Sequence, residues 1–225
     1  MNSSSTKRIN PPLGGKGGKR KHMTRNTTFS EKTVDPDPFI QFKTWYNEHL
    51  NSGIAIPEAV TLATASSDGK VSARTVLLKD YNETGFSFFT NYESRKGFQL
   101  SSNPCAALLF YWPESARQIR IEGVTERVSK EDSESYFKTR PRESQLSAWA
   151  SSQSSVIPDR QDLDVRYIYY KNKFSERSVD RPPYWGGFRL HPEWFEFWQE
   201  GEFRLHDRLT YKKSNNVWVL ERLAP

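Results

Sequence analysis

The chain has 225 residues with 33 Lys and Arg against 27 Asp and Glu, a formal net charge of +6. Residues 1–32 hold eight of those cations and one Glu, a net of +7, so taking +7 from +6 leaves −1 for residues 33–225. The basic character belongs to a tail, which argues against a general nucleic-acid surface on the rest; the absence of a long apolar run and of an apolar leader argues against a membrane span or a secretory signal.

Residues 1–35 read as a disordered basic tail, rich in Ser, Asn, Gly and Lys and almost free of apolar periodicity. The stretch Gly14-Gly15-Lys16-Gly17-Gly18-Lys19 has the spacing of neither a phosphate loop nor a dinucleotide fingerprint. Lys19-Arg20-Lys21 is either a targeting or polyanion-binding element or a solvated run of charge. Residues 36–225 read as one domain. It opens at Asp37-Pro38, an N-cap followed by proline at the first helical position. Phe39, Phe42, Trp45 or Tyr46, and Leu50 then recur at helical spacing, which predicts a helix over 38–50.

Strands are predicted over 60–66 and 70–79, joined by a hairpin turn at Ser67-Asp68-Gly69, and over 86–90 after a turn at Asn82 to Gly85. A short helix over 94–101 stops at Asn103-Pro104. Strands follow at 105–112 and 117–128. Cys105, the only cysteine, opens the first of them and is expected to be a buried structural thiol. It excludes an internal disulfide and a cysteine metal cage. The four histidines show no metal-ligand spacing either, so no metal is expected. A reducing compartment, the cytoplasm, is the expected setting. Helices are predicted at 130–138, 142–150 and 159–170, then a polar loop over 171–184 and strands at 193–198, 204–212 and 216–222. Antiparallel strands joined by hairpins, with helices in the gaps, predict a mainly β fold: a β-barrel with helical decoration.

Five clusters carry chemistry. Arg74 to Lys79 puts a cation at each end of an apolar strand, which is also how a plain barrel strand ends. Arg95 and Lys96 sit in the first turn of a helix, where cations oppose the helix dipole but are tolerable if they and the free N–H groups jointly hold a phosphate. Tyr136 and Arg140 are neighbours on one helix face, and with Ser144 beyond they are suited to a second phosphate; a lone Arg there is usually a cap. Gln153-Ser154-Ser155 offers neutral donors and acceptors. Arg204, His206 and Arg208 alternate along a predicted strand and are expected on one face, suited to an anion with a reactive ring or merely to solvent.

In order, the segments read R-T-V-L-L-K at 74–79, F-T-N-Y-E-S-R-K at 89–96, N-P at 103–104, R-Q-I-R-I-E-G at 117–123, Y-F-K-T-R-P-R at 136–142 and A-S-S-Q-S at 150–154. They continue as Y-W-G-G at 184–187, E-F-W-Q at 196–199, R-L-H-D-R at 204–208 and R-L-A-P at 222–225. Together they resemble the pyridoxine (pyridoxamine) 5′-phosphate oxidases over residues 36–225. Any one motif is weak, but ten in register are specific.

The resemblance implies an FMN-binding split β-barrel acting as a homodimer, with each active site at the subunit interface. It implies oxidation of pyridoxine 5′-phosphate or pyridoxamine 5′-phosphate to pyridoxal 5′-phosphate by hydride transfer from the substrate C4′ to the flavin N5, with O2 reoxidising the flavin to give H2O2. By the same resemblance, FMN contacts fall on Arg74, Thr75, Val76, Leu77, Leu78, Lys79, Phe89, Thr90, Arg95, Lys96, Gln118, Gln153, Ser154, Trp198 and Arg208. Substrate contacts fall on Lys79, Tyr136, Arg140, Ser144, Arg204 and His206. Arg204 and His206 are the implied catalytic pair, with His206 the candidate base. The family's N-terminal lid carries an Arg and a Tyr; here Arg25-Asn26-Thr27-Thr28-Phe29 has the arginine only. Glu200 stands where a glycine is commoner. Two alternatives remain. One is a flavin split-barrel protein with another substrate or a non-catalytic flavin- or pyridoxal-phosphate-binding role. The other is a binding protein that uses its tail on nucleic acid or acidic membrane.

Overall fold

An antiparallel sheet of nine strands organises residues 29–225, the part of the chain that the computed structural model describes. In chain order the elements are α1 (Pro38–Leu50), β1 (Ala59–Ala65), β2 (Val71–Leu77), β3 (Asp80–Asn82), β4 (Gly85–Asn91), α2 (Arg95–Ser102), β5 (Cys105–Trp112) and β6 (Arg117–Arg127). Then come α3 (Lys130–Thr139), α4 (Arg142–Ala150), α5 (Arg160–Lys173), β7 (Trp185–Gln199), a 3-10 turn (Glu202–Arg204), β8 (Asp207–Ser214) and β9 (Val217–Leu223).

The strand order is β2-β1-β5-β6-β7-β4-β3, with β8 added to β7 and β9 to β8. The branch lies in β7, whose first half pairs with β4 and second half with β8, while β6 follows both halves through a register shift at Glu122/Gly123. The sheet curls into a half-barrel around an aromatic core. The α1 helix plugs that core with Phe42, Trp45 and Tyr46 against Phe86, Phe110 and Phe197. Each such ring, fully buried, stabilises the fold by roughly 2–3 kcal/mol. The predicted cap of α1 is present: the Asp37 carboxylate accepts from the Phe39 N–H at 2.8 Å, and Pro38 opens the helix. A second apolar cluster, Phe137, Leu146, Phe174, Val179 and Trp185, holds α3, α4 and the segment after α5 together.

Four expectations change. Cys105 is exposed, not buried, because β5 begins there before the sheet is covered. Residues 29–35 are packed rather than disordered: Phe29 lies 4.9 Å from the Trp45 ring, and the Tyr211 hydroxyl donates to the Asp35 carbonyl at 2.6 Å. The rest of the predicted tail and Arg25 lie outside the described residues. The β7 strand starts at Trp185 rather than 193, and Gly186-Gly187 serves close packing within it: a Cβ on Gly186 would stand 2.0 Å from the Tyr92 hydroxyl. The last predicted loop also holds buried Phe174 and Val179.

Candidate active site

A cavity of about 1040 Å³ opens between β2 and β4 on one side and α2, α3 and α4 on the other. Among the described residues five cations line it, Arg74, Lys79, Arg95, Lys96 and Arg140, and no Asp or Glu does. Of the predicted flavin contacts it brings together Arg74, Thr75, Val76, Leu77, Lys79, Phe89, Thr90, Arg95, Lys96, Gln153 and Ser154. Of the predicted substrate contacts it brings together Lys79, Tyr136, Arg140 and Ser144. β2 is an edge strand, so its free backbone edge and alternate side chains are available to the cavity.

The first cation group has only neutral partners. Arg74 donates to the Leu62 carbonyl (3.2 Å), to the Thr64 hydroxyl (2.6 Å) and to Ser72 Oγ. Buried Lys96 donates to Thr90 Oγ1 (3.1 Å), Ser94 Oγ (3.3 Å) and Gln153 Oε1 (3.0 Å). Burial, then the neighbouring Arg74, brings the Lys96 ammonium down to about 8. Arg74 is lowered as well, by burial and by Arg95. Ser94 caps α2, and Gly97 lets that helix start hard against the preceding strand: a Cβ there would lie 2.1 Å from the Tyr92 carbonyl oxygen. Arg95 and Lys96 thus stand at a helix N-terminus that already carries positive potential, an arrangement an anion relieves.

Arg140 anchors the second group. It ends α3, and its guanidinium lies 4.6 Å over the Trp185 ring; its Nη1 is buried with no hydrogen-bond partner. An unpartnered buried donor is costly, and here it stands in a cavity beside Tyr136 and Ser144. Tyr136 is itself stacked on Phe89 at 4.0 Å. Lys79 differs from the others in having an ion-pair partner, Glu58 at 3.3 Å.

The remaining predicted residues do not line the cavity of their own chain. Leu78 is buried in the core. Gln118, Trp198 and Arg208 form one cross-strand row over β6, β7 and β8. The neighbouring row on the same sheet face runs Thr75, Thr61, Leu109, Arg120, Glu196 and Thr210, so the row and the cavity edge share a face. The expectation that Arg204, His206 and Arg208 share one face of one strand is overturned. Phe203 (φ 55°) and Arg204 (φ 64°) are left-handed, β8 begins only at Asp207, and Arg204 projects from an exposed turn. His206 packs 4.7 Å from the Trp198 ring, and its Nδ1 accepts from the Gly201 N–H at 3.2 Å. That bond assigns the neutral ring's proton to Nε2, so the free side of the ring is a donor and not the lone pair a base needs.

Three participants escaped the sequence reading. Gln99 accepts from Thr64 and Ser72 at 2.7 Å each and so braces the Arg74 site; nothing in its helix marks it. Trp185, a member of the second apolar cluster, also forms a cavity wall. Glu196 is buried and paired with Arg120 and Arg208; an acid amid Trp194-Phe195-Glu196-Phe197-Trp198 was the available signal.

Known proteins sharing this sequence and fold decide the family. The family described as "Pyridoxamine 5'-phosphate oxidase" matches residues 46–173, and the "Pyridoxine 5'-phosphate oxidase C-terminal dimerisation region" matches residues 185–225. The chain belongs to the pyridoxamine 5′-phosphate oxidase family. It is therefore an enzyme of the flavin-dependent oxidase kind. A relative from Gloeothece citriformis named "Pyridoxine/pyridoxamine 5'-phosphate oxidase" is 51% identical over 207 residues, 92% of this chain and 96% of that one. A relative of the same name from Rubrobacter xylanophilus is 50% identical, over 92% and 95% of the two chains. PhzG from Burkholderia lata, solved in complex with tetrahydrophenazine-1-carboxylic acid, superposes with a TM-score of 0.83 at 30% identity, covering 89% of this chain and 98% of that one. An oxidase-related FMN-binding protein from Nostoc punctiforme gives 0.66 at 17% identity, over 84% and 98%, and shares the split-barrel fold. Among the described residues no helix is long and apolar enough to cross a membrane.

Proposed function

We propose that this family member uses FMN to oxidise pyridoxine 5′-phosphate or pyridoxamine 5′-phosphate to pyridoxal 5′-phosphate, as a cytoplasmic homodimer. The observation that carries the reading is a single cavity with five cations, no carboxylate and a buried, unpartnered Arg140 Nη1. Its volume is at the upper end for small-molecule sites, enough for two stacked aromatic ligands.

FMN fits the first group. Arg74, Arg95, Lys96 and the N–H groups opening α2 suit its phosphate; Thr75 to Leu77 on an open strand edge, with Gln153 and Ser154, suit the polar rim of a flat ring. When bound, FMN supplies the hydride acceptor and passes the electrons to O2 as H2O2. Lys79, Tyr136, Arg140 and Ser144 hold the substrate phosphate, and Phe89 and Trp185 shield it from water. The second subunit supplies Gln118, Trp198 and Arg208 to the flavin, and Arg204 and His206 to the substrate. Three facts support that division: none of these side chains lines its own cavity, Gln118, Trp198 and Arg208 share the sheet face of Thr75, and all five lie in or pair with the dimerisation region. The Nε2–H of His206 donates to the substrate and orients it, while Arg204 brings positive charge to the reacting end.

PhzG holds a carboxylic acid. Three donors converging beside an unpartnered guanidinium favour a phosphate here. The purified protein is expected to be yellow, and its flavin absorbance to bleach when pyridoxine 5′-phosphate is added without oxygen. Protein that stays colourless after incubation with FMN, or flavin that neither phosphate ester bleaches, overturns the proposal.

A further inference from the structure

Among the described residues Glu196 is the only buried acid, 1% exposed. Its Oε1 accepts from Arg208 Nε at 2.5 Å and its Oε2 from Arg120 Nη1 at 3.1 Å. Arg120 is otherwise occupied: Nη2 donates to Glu122, and its guanidinium carbon lies 4.9 Å from the centre of the Trp194 ring. Arg208 is held from a second side, Nη1 donating to the Ala224 carbonyl at 2.9 Å. No described residue takes its Nη2.

Two fixed points define the plane of a guanidinium, because its donors form a rigid fork. A buried ion pair is weak evidence for stability, since desolvation offsets most of the attraction. Holding one group in one orientation is the use that remains.

We propose that Glu196 is a positioning residue: with the Ala224 carbonyl it fixes the Arg208 guanidinium so that its remaining N–H groups are presented to the flavin bound by the second subunit. This rests on the reading above that Arg208 contacts FMN across the dimer. It also makes the Ala224 carbonyl part of the flavin site. Preorganising a donor raises affinity by removing the cost of ordering it on binding. Arg208, half-buried on the row with Gln118 and Trp198, is otherwise free to turn toward solvent.

The test uses the full-length dimer stripped of flavin and titrated with FMN, read by quenching of flavin fluorescence, with thermal melting alongside. Glu196→Gln leaves one acceptor for two arginines and is expected to raise the FMN Kd about tenfold, the scale of one hydrogen bond to a charged group. Deleting Ala224 and Pro225, a change at the exposed chain end, is expected to raise it about threefold by the same scale. In an Arg208→Ala background neither change adds anything further, which general loss of structure would not reproduce. An unchanged FMN Kd in both single variants, or additive effects in that background, overturns the role of Glu196 while leaving the flavin contact standing. An unchanged Kd in Arg208→Ala itself overturns the contact and the inference together.

Discussion

In the cavity, Arg74, Lys96 and Arg140 meet hydroxyls, carbonyls, rings and one another. On the face built by β6, β7 and β8, Arg120 and Arg208 meet carboxylates. Both regions present arginines on or beside a strand, and by sequence they look alike. The difference is compensation. A cation held among neutral groups opposes folding and is relieved only when an anion arrives. A cation held by a carboxylate is already in place and waits for a ligand without needing one. On the proposed function, charge balance therefore separates the residues proposed to grip a phosphate from those proposed to present a fixed donor, and charge count does not.

Removing one cation from each region tests this most severely. Arg140→Met deletes an unpartnered buried donor, so the flavin-free protein is expected to melt higher. The same change is expected to raise the KM for pyridoxine 5′-phosphate roughly ten- to a hundredfold, because hydrogen bonds to charged groups contribute about 1.5–3 kcal/mol each. Arg208→Ala is expected to lower the melting temperature, since Glu196 then keeps only one of its two cations. If the two variants lose stability equally, the distinction between the regions fails.

A smaller effect is written into pH. Lys96 titrates near 8 in the folded protein against an ordinary 10.5. Between those values the unfolded chain holds a proton that the folded chain has released, so the stability of the flavin-free protein rises with pH across that window. Phosphate binding requires the charged ammonium, so FMN affinity is expected to fall as pH climbs through 8, by up to about tenfold per pH unit. Titrations from neutral to mildly alkaline pH check it, and Lys96→Met is expected to flatten both slopes. An affinity that stays constant through that range removes Lys96 from the phosphate site.

Most of the sheet and all five α-helices were legible because apolar periodicity and caps are local signals: Asp37-Pro38 and Ser94 each mark their helix start. The cations gathered on the cavity, Arg74, Lys79, Arg95 and Lys96, were legible for the same reason, since R-T-V-L-L-K and E-S-R-K are contiguous. What escaped was set by distant partners. Gly186-Gly187 carries no side chain to show strand alternation, and only Tyr92 and Phe89, which leave no room for a side chain, explain it. The left-handed Phe203 and Arg204 carry no glycine to announce them. Alternation along a presumed strand consequently put Arg204 and His206 on a face that does not exist. Glu196 reads as an ordinary polar position in an alternating strand, and its burial depends on two arginines contributed by β6 and β8.

The smallest expected effect concerns the turn that carries His206. A Cβ on Gly201 would stand 1.9 Å from the Leu205 carbonyl oxygen, so Gly201→Ala must open the turn and pull the Gly201 N–H away from His206 Nδ1. Flavin affinity is expected to hold, because Arg208 and the cavity cations are anchored elsewhere. Turnover is expected to drop about threefold to tenfold, the scale of a modestly misplaced orienting group. His206→Asn then separates the two chemical roles. Its amide still offers an N–H but takes up no proton near neutral pH, so a donor role leaves most of the turnover and a base role leaves almost none. Near-complete loss in His206→Asn, with flavin still bound, would mean that the bond from Gly201 does not fix the ring's working tautomer.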